Sequence, residues 1–209
     1  MDKNAIDYTL YLCTDRGLMS SPTIEEAVEQ AILGGTGVIQ LREKDIDAKD
    51  FYEMAVSLKK ITNQYRVPLI INDRVDVALA CDADGVHIGQ RDIPAALVRK
   101  MIGPDKLLGV SAATLEEAVQ AVKDGADYLG IGAMYATNTK DDAEIVTIEE
   151  LKRIRKAVDV PIVVIGGINM STMENFKGYG IDGLAVVSAV MAAEDVQAAA
   201  HALVTGFKS

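Results

Sequence analysis

Short apolar runs alternate with longer amphipathic segments along the whole chain, and this alternation constrains the fold more than any other feature. Most runs are nearly continuous in Val, Ile and Leu, which is typical of parallel strands buried on both faces. A helical pattern follows each run, so the chain is predicted to consist of βα units. The predicted strands are 8–13, 38–41, 69–71, 85–88, 107–110, 128–131, 162–165 and 184–187.

Capping residues mark several of the helix starts. Thr23, Thr114 and Thr147 each precede a pair of glutamates, the order in which a capping hydroxyl is followed by acids in the first turn. Helical spacing of apolar residues predicts further starts near 47, 74, 94, 172 and 196.

A short sequence motif recurs before three of the strands. It begins at Asp82, Gly125 and Gly180, and residues 34–40 are a looser copy. With no Pro/Gly/Ser-rich linker to divide the chain, eight βα units in 209 residues predict a single domain, 1–209, with the α/β fold of a (β/α)8 TIM barrel. A doubly wound open sheet is the alternative, and it usually uses fewer strands.

Composition excludes several classes of function. The 21 basic and 31 acidic side chains give a net charge of −10, which argues against nucleic-acid binding. No apolar run reaches the ~20 residues of a membrane helix, and the first residues lack a signal-peptide pattern, so a cytoplasmic protein is expected. Cys13 and Cys81 show no metal or redox spacing, and homo-oligomerisation is left open.

Polar residues cluster directly after the predicted strands. In a TIM barrel the carboxyl ends of all strands meet at one rim, where active sites lie. Seven such clusters therefore predict a catalytic rim that carries many polar side chains. They are 40–44, 72–74, 89–92, 111, 137–140, 166–169 and 187–189.

A glycine pair, Gly166 and Gly167, follows the seventh strand, and Val187 and Ser188 end the eighth. Loops at these two places form the usual phosphate site of such barrels, because backbone N–H groups there bind the anion. Taken alone, the glycine pair could equally make only a tight turn. In combination with Val187 and Ser188, phosphate binding is the preferred interpretation.

Carboxylates end two adjacent strands. Asp73 and Asp92 can face one cation, and Mg²⁺ prefers a few carboxylate oxygens together with phosphate oxygens and water. The alternative for Asp92, which precedes Pro94, is a helix N-cap.

Three cations, Arg42, Lys44 and Lys140, lie on the same predicted rim. They are candidate ligands for a phosphate or diphosphate, although charged strand exits are usually only solvated. His87 lies between apolar residues of the fourth strand and is interpreted as a structural core residue.

In combination, these motifs resemble those of the thiamine phosphate synthase family. The resemblance extends from about residue 8 to residue 203. The motifs are Gln-Leu-Arg-Glu-Lys at 40–44, Ile-Asn-Asp-Arg at 71–74, Asp-Gly-Val-His-Ile-Gly-Gln-Arg-Asp at 84–92, Thr-Asn-Thr-Lys at 137–140, Ile-Gly-Gly-Ile at 165–168 and Val-Val-Ser-Ala at 186–189.

The resemblance implies a transferase that joins two phosphorylated small molecules. An aminopyrimidine with a methyl diphosphate condenses with a thiazole phosphate, giving thiamine phosphate and pyrophosphate, after early departure of the diphosphate. It implies Mg²⁺ on Asp73 and Asp92. It implies that the pyrimidine diphosphate contacts Gln40, Leu41, Arg42, Glu43, Lys44, Asn72, Ser111 and Lys140, and that the thiazole phosphate contacts Thr137, Asn138, Thr139, Gly167, Val187 and Ser188.

Three other functions are weighed against this one. Thiazole tautomerases of the same fold tend to carry a His after the fifth strand, whereas 109–114 contains none. A non-catalytic thiazole-phosphate-binding barrel would need neither the Asp73 and Asp92 pair nor Lys140. A phosphosugar isomerase would need an acid/base pair on the rim, and the carboxylates here suit a metal better.

Overall fold

A computed structural model describes residues 2–136 and 145–209. Eight parallel strands pair in chain order, and β8 pairs with β1 to close the barrel, which confirms the predicted (β/α)8 fold. The strands are β1 Leu10–Cys13, β2 Val38–Leu41, β3 Leu69–Asn72, β4 Gly85–Ile88, β5 Leu107–Ala112, β6 Tyr128–Ile131, β7 Ile162–Val164 and β8 Gly183–Val186.

Helices surround the barrel. They are α1 Ile24–Leu33, α2 Ala48–Tyr65, α3 Val75–Ala80, α4 Ala95–Ile102, α5 Leu115–Lys123, α6 Ile148–Ala157, α7 Ser188–Met191 and α8 Val196–Lys208. Two 3-10 helices, at Lys3–Ala5 and Met173–Phe176, complete the described elements. The helix predicted near 172 is therefore a single 3-10 turn, and the short α7 was not predicted.

The threonine caps form as the sequence predicts. Thr23, Thr114 and Thr147 accept hydrogen bonds through their side chains from the backbone N–H three residues later. Each bond satisfies one of the N–H groups that a helix start leaves without a partner. The helices are thereby fixed at the amino ends that face the rim.

Side chains of each strand alternate between two apolar cores. Outward residues such as Leu10 and Ile39 pack against the helices in the larger core. Inward residues fill the barrel in a smaller core, which includes Tyr11, Tyr128 and Val163. Because both faces are buried, the strands read as continuous apolar runs.

The recurring sequence motif that begins at Asp82, Gly125 and Gly180 has a structural role at the amino end of the barrel. An aspartate before an even-numbered strand accepts, at 2.8 Å, a backbone N–H from the start of the preceding strand. The same aspartate donates its own backbone N–H to the carbonyl oxygen of that residue. These reciprocal bonds fix neighbouring strand starts in register. The pairs are Asp84 with Leu69, Asp127 with Leu108, and Asp182 with Ile162.

Asp127→Ala is expected to destabilise the protein by about 2 kcal/mol, because a buried strand N–H loses its acceptor. The Asp127 carboxylate also pairs with Arg99 at 2.5 Å and with Lys3 at 2.9 Å. Chemical denaturation measures the change. Asp105→Ala, at an exposed turn, is the control and should shift stability by less than about 0.5 kcal/mol. Equal effects of the two substitutions would contradict the assigned role.

Among the described residues, none of the helices combines the length and apolar character needed to cross a membrane. Cys13 and Cys81 are both buried free thiols.

Candidate active site

A cavity of about 300 Å³ opens at the carboxyl ends of the strands. Seven of the residues predicted to contact substrate line it, and they come from strands on several sides of the barrel. These residues are Gln40, Arg42, Asn72, Ser111, Gly167, Val187 and Ser188. The strand-end pattern in the sequence therefore converges on one cavity.

One side of the cavity carries polar groups from β2, β3 and β5. Gln40 and Asn72 are nearly buried, so their amides face the cavity from a fixed barrel wall. Arg42 follows β2, and its backbone N–H donates to Thr14 Oγ1 at 3.1 Å. The thiol of Cys13 lies at the same wall. Burial raises its pKa to about 12, and the charge of Arg42 only partly opposes this, so the thiol stays protonated.

The glycine pair forms the opposite side of the cavity. Gly166 and Gly167 have φ values of 98° and 68°, which favour glycine. A Cβ at position 166 would lie 2.7 Å from the Ala133 Cβ, and one at 167 would lie 2.7 Å from the Tyr135 Cβ. Both positions therefore require glycine, and their backbone is open to a ligand.

The start of α7 adjoins this glycine pair. Ser188 and Ala189 both line the cavity and form the first turn of the helix. Backbone N–H groups in a first helical turn have no partner within the helix. Together with the glycine pair, they form a surface suited to an anion.

Asp73 and Asp92 lie next to one another but are not among the residues that line the cavity; Asp73 directly follows the lining residue Asn72. Burial raises the pKa of Asp73 to about 6; the neighbouring carboxylate of Asp92 adds to the shift, while Lys44 and Asn72 oppose it. Asp73 has a φ of 60°. Asp92 does not cap α4, because its Oδ2 accepts the Gly89 N–H at 2.7 Å and the helix is preceded by Pro94.

This pair fits a divalent cation with few protein ligands. Two partly buried carboxylates repel one another, and a cation between them would remove the repulsion. Within 2–136 and 145–209, no cluster of three or more His, Cys, Asp or Glu side chains could hold a metal. Mg²⁺ commonly uses one or two carboxylates and takes its other ligands from water and substrate phosphates.

Comparison with known families decides the relationship. Residues 10–190 match the family described as thiamine monophosphate synthase. The chain belongs to this family.

Relatives and a solved structure agree with this assignment. Thiamine-phosphate synthase of Clostridium botulinum is 61% identical over 93% of the chain and 92% of the relative. That of Clostridium beijerinckii is 60% identical over 98% of both. The structure of thiamine phosphate pyrophosphorylase from Pyrococcus furiosus is 40% identical with a TM-score of 0.89, covering 97% of this chain and 96% of that one. The chain is thus a transferase of this family.

Three residues of the 40–44 motif lie away from the cavity lining. Leu41 is fully buried in the core between barrel and helices. Glu43 forms a two-point ion pair with Arg16, at 2.8 and 2.9 Å. Lys44 is exposed, and its charge acts on Asp73. Alternation along the exit of β2 separates Leu41 and Glu43 from Gln40 and Arg42, whereas Lys44 is on the same side as these two but lies farther out.

Four further residues attributed by family resemblance lie outside the described residues. They are Thr137, Asn138, Thr139 and Lys140. Tyr135, shortly before them, is fixed by its hydroxyl, which accepts a hydrogen bond from Asn175 Nδ2 at 2.8 Å.

The cavity floor contains residues that sequence reasoning missed. Tyr11 and His87 line it, and Tyr128 lies directly beneath them. His87, interpreted from sequence as a core residue, is buried but faces the cavity. All three occupy inward positions in their strands, but strands buried on both faces give no period-two signal in the sequence from which those positions could be assigned.

Asn169 and Arg74, which belong to the polar clusters after the strands, lie in different surroundings. Asn169 lines the cavity and shapes its turn, since its Oδ1 accepts the Ser171 N–H at 2.9 Å. Arg74 points outward, where it pairs with Asp76 and lies over the Phe51 ring.

Proposed function

We propose that the protein condenses 4-amino-2-methyl-5-(diphosphooxymethyl)pyrimidine with 4-methyl-5-(2-phosphooxyethyl)thiazole. The products are thiamine phosphate and pyrophosphate, and the reaction uses Mg²⁺. Family membership supports a thiamine-phosphate synthase. The identities of the substrates and of the metal follow the family resemblance, and the residue roles are proposed from where those residues lie in the cavity.

The single observation that carries the proposal is the division of one cavity into two different walls. Arg42 and the amides of Gln40 and Asn72 form one wall, and the Gly167 loop with the start of α7 forms the other. Two anion-binding walls that face one space suit two phosphorylated substrates bound side by side. A cavity of about 300 Å³ lies in the range of small-molecule sites.

The pyrimidine diphosphate is assigned to the wall of β2, β3 and β5. Its diphosphate would extend toward Arg42 and Lys44, with Lys140 completing the cationic set. The pyrimidine ring would lie over the floor near Gln40, Asn72 and Ser111, which all line the cavity. Of the 40–44 motif, Leu41 and Glu43 would then support the loop rather than contact the ring.

Asp73 and Asp92 are the residues that would hold Mg²⁺ against the diphosphate. When bound, the ion would supply positive charge to the leaving group. Asp92 is already oriented by the Gly89 N–H, and Asn72 hydrogen-bonds Asp73, so the pair is held in place by the protein.

The thiazole phosphate is assigned to the second wall. Gly167, Val187 and Ser188 border that wall and would bind the phosphate through backbone N–H groups and the Ser188 hydroxyl. Thr137, Asn138 and Thr139 are proposed to add contacts to the same phosphate. This arrangement holds the thiazole nitrogen toward the pyrimidine.

The chemistry requires charge stabilisation and alignment. The bond between the pyrimidine methylene carbon and the diphosphate oxygen breaks, and pyrophosphate leaves with the electron pair. The thiazole nitrogen then donates its lone pair to that carbon and forms the new C–N bond. Arg42, Lys44 and Lys140 stabilise the charge that develops on the leaving oxygen, while the two walls align the reactants.

Mg²⁺ affinity is expected to fall as the pH drops through about 6, because Asp73 must lose its proton to bind the ion. Below that pH the loss should approach roughly tenfold per unit, since one proton competes with the metal. Calorimetric titration of the substrate-free protein with Mg²⁺ between pH 5 and 8 measures it. A constant affinity across this range would contradict the assignment of Asp73.

The substrate assignment is tested by incubating the purified protein with both substrates and Mg²⁺. Mass spectrometry should detect thiamine phosphate only when all components are present. A tautomerase would alter the thiazole phosphate without pyrimidine, and a binding protein would form no product. Well-folded protein that forms no thiamine phosphate would overturn the proposal.

A further inference from the structure

Five side chains form one continuous chain of hydrogen bonds across the barrel interior, beneath the cavity. Gln40 Nε2 donates to Tyr11 Oη at 2.7 Å, and Tyr11 Oη lies 2.7 Å from Tyr128 Oη. Tyr128 Oη lies 3.1 Å from His87 Nδ1, and His87 Nε2 lies 2.9 Å from Ser111 Oγ. The chain crosses five of the eight strands and ends at two cavity-lining residues, Gln40 and Ser111.

Two inward-facing glycines make room for this chain. A Cβ at Gly109 would lie 2.1 Å from the Tyr128 ring and 2.5 Å from His87 Nδ1. A Cβ at Gly130 would lie 3.1 Å from His87 Cε1. The absence of a side chain at Gly109 and Gly130 therefore provides the space in which Tyr128 and His87 contact one another.

The hydrogen bonds between these five side chains run in one donor-to-acceptor direction. Tyr11 accepts from Gln40, so its single hydrogen is donated to Tyr128, and the Tyr128 hydrogen is donated to His87 Nδ1. The opposite direction would leave the buried Tyr11 hydrogen without an acceptor, which is costly. Burial raises the pKa of both tyrosines well above the usual range, so both keep their hydrogens.

This direction determines what the two ends present to the cavity. His87 accepts at Nδ1 and therefore carries its proton at Nε2, from which it donates to Ser111 Oγ. The Ser111 hydroxyl is then left to donate its own hydrogen. Ser111 is also held through its carbonyl oxygen, which accepts from Gln90 Nε2 at 2.7 Å.

We propose that Tyr11, Tyr128 and His87 are positioning residues that make Ser111 a hydrogen-bond donor toward the substrate ring. The inference rests on the proposed function for the identity of that ring. A nitrogen heterocycle offers a ring nitrogen that accepts from Ser111, and an amino group on the ring can donate to the carboxamide oxygen of Gln40. The chain would thus select an aminopyrimidine and hold it in one orientation above the floor.

The His87 tautomer tests the chain without any substrate. The sequence contains only two histidines, and exposed His201 serves as an internal reference in ¹H–¹⁵N correlation spectra. Wild-type His87 is expected in the Nε2–H form. Tyr128→Phe removes the donor to Nδ1 and should give a mixture of tautomers. An unchanged Nε2–H signal in this variant would contradict the proposed hydrogen bond from Tyr128 to His87.

Kinetics test the effect on substrate. Tyr128→Phe is expected to lower kcat/KM for the pyrimidine diphosphate by roughly ten- to a hundredfold while the KM for the thiazole phosphate changes less than about twofold. Tyr8→Phe is the matched control. Its ring packs 5.2 Å from that of Tyr128, but its hydroxyl is not part of the chain, so wild-type kinetics are expected. Equal losses in both variants would mean that Tyr128 acts only by packing.

Substitutions of His87 separate its two nitrogens. A Gln side chain can place its amide where Nε2 lies and still donate to Ser111, whereas an Asn side chain reaches only the position of Nδ1. His87→Gln should therefore retain roughly tenfold more pyrimidine kcat/KM than His87→Asn. The reverse order would contradict the proposal.

Circular dichroism establishes that each variant is folded. If Tyr128→Phe does not fold, the wild-type spectrum decides, because a His87 that carries its proton at Nδ1 could not accept a hydrogen bond from Tyr128 and would overturn the proposal. A wild-type protein without coupling activity would refute the proposed function alone, because the tautomer is measured in the absence of substrates.

Discussion

Asp73→Asn is expected to reduce Mg²⁺-dependent turnover by roughly 10²–10³-fold and, at the same time, to stabilise the metal-free protein above pH 6. Asn keeps the polar shape and tolerates the φ of 60° at this position, where Ala would be strained. The loss of turnover follows from the loss of one of two carboxylates that would hold the ion.

The gain in stability follows from the pKa of Asp73. The folded-state pKa of about 6 lies above the usual value of 3.8 for this side chain, so the folded protein binds the proton more tightly than the unfolded chain. Ionised Asp73 therefore opposes folding fully above pH 6, and this penalty disappears below about 4. Thermal unfolding of Asp73→Asn should give a higher Tm than wild type at pH 7.5 and an equal one at pH 4.

Asp76→Asn is the control for this experiment. Asp76 follows Asp73 closely but pairs with Arg74 outside the cavity. Its substitution should leave Mg²⁺-dependent turnover within about twofold of wild type. Full turnover in Asp73→Asn, or a Tm at pH 7.5 below that of wild type, would contradict the assigned role of Asp73.

Arg42→Gln is expected to lower kcat by roughly 10²–10³-fold, because the leaving diphosphate loses a fixed positive charge at the cavity wall. Gln keeps an uncharged hydrogen-bonding group on a shorter side chain, so the substitution removes the positive charge without placing an apolar surface at the wall. Steady-state kinetics with the pyrimidine diphosphate varied at saturating thiazole phosphate measure the effect.

Arg74→Gln provides the comparison. Both arginines follow strand ends on adjacent strands, yet Arg74 lies outside the cavity, over Phe51 and against Asp76. We expect its kcat to remain within about twofold of wild type. Similar losses in both variants would mean that Arg42 acts through general electrostatics or folding rather than on the leaving group.

The fold could be predicted closely because strand and helix signals are local. Every predicted strand is present, and the threonine caps at Thr23, Thr114 and Thr147 form. The exception near residue 188 has a physical reason. Val187 and Ser188 were taken as the end of a strand, but the chain turns directly into α7 there, and a helix of four residues has too little periodicity to be detected.

The rim could be predicted from strand ends, whereas the cavity floor could not. Gln40 and Ser111 were found because polar residues at the end of an apolar run are conspicuous. Tyr11 and Tyr128 were missed, and His87 was correctly placed in the core but not at the cavity. Their strands are buried on both faces, which erases the period-two signal that separates inward from outward positions. Their hydrogen-bonded chain also joins residues up to 117 positions apart, which no local pattern contains.

The joining of two substrates on one rim is tested most directly by measuring both products in the same reaction. With both substrates and Mg²⁺, the wild-type protein is expected to release one pyrophosphate for each thiamine phosphate formed, and to release little pyrophosphate when the thiazole phosphate is omitted. Pyrophosphate released at an undiminished rate without the thiazole phosphate would reveal a hydrolase and contradict the two-substrate site.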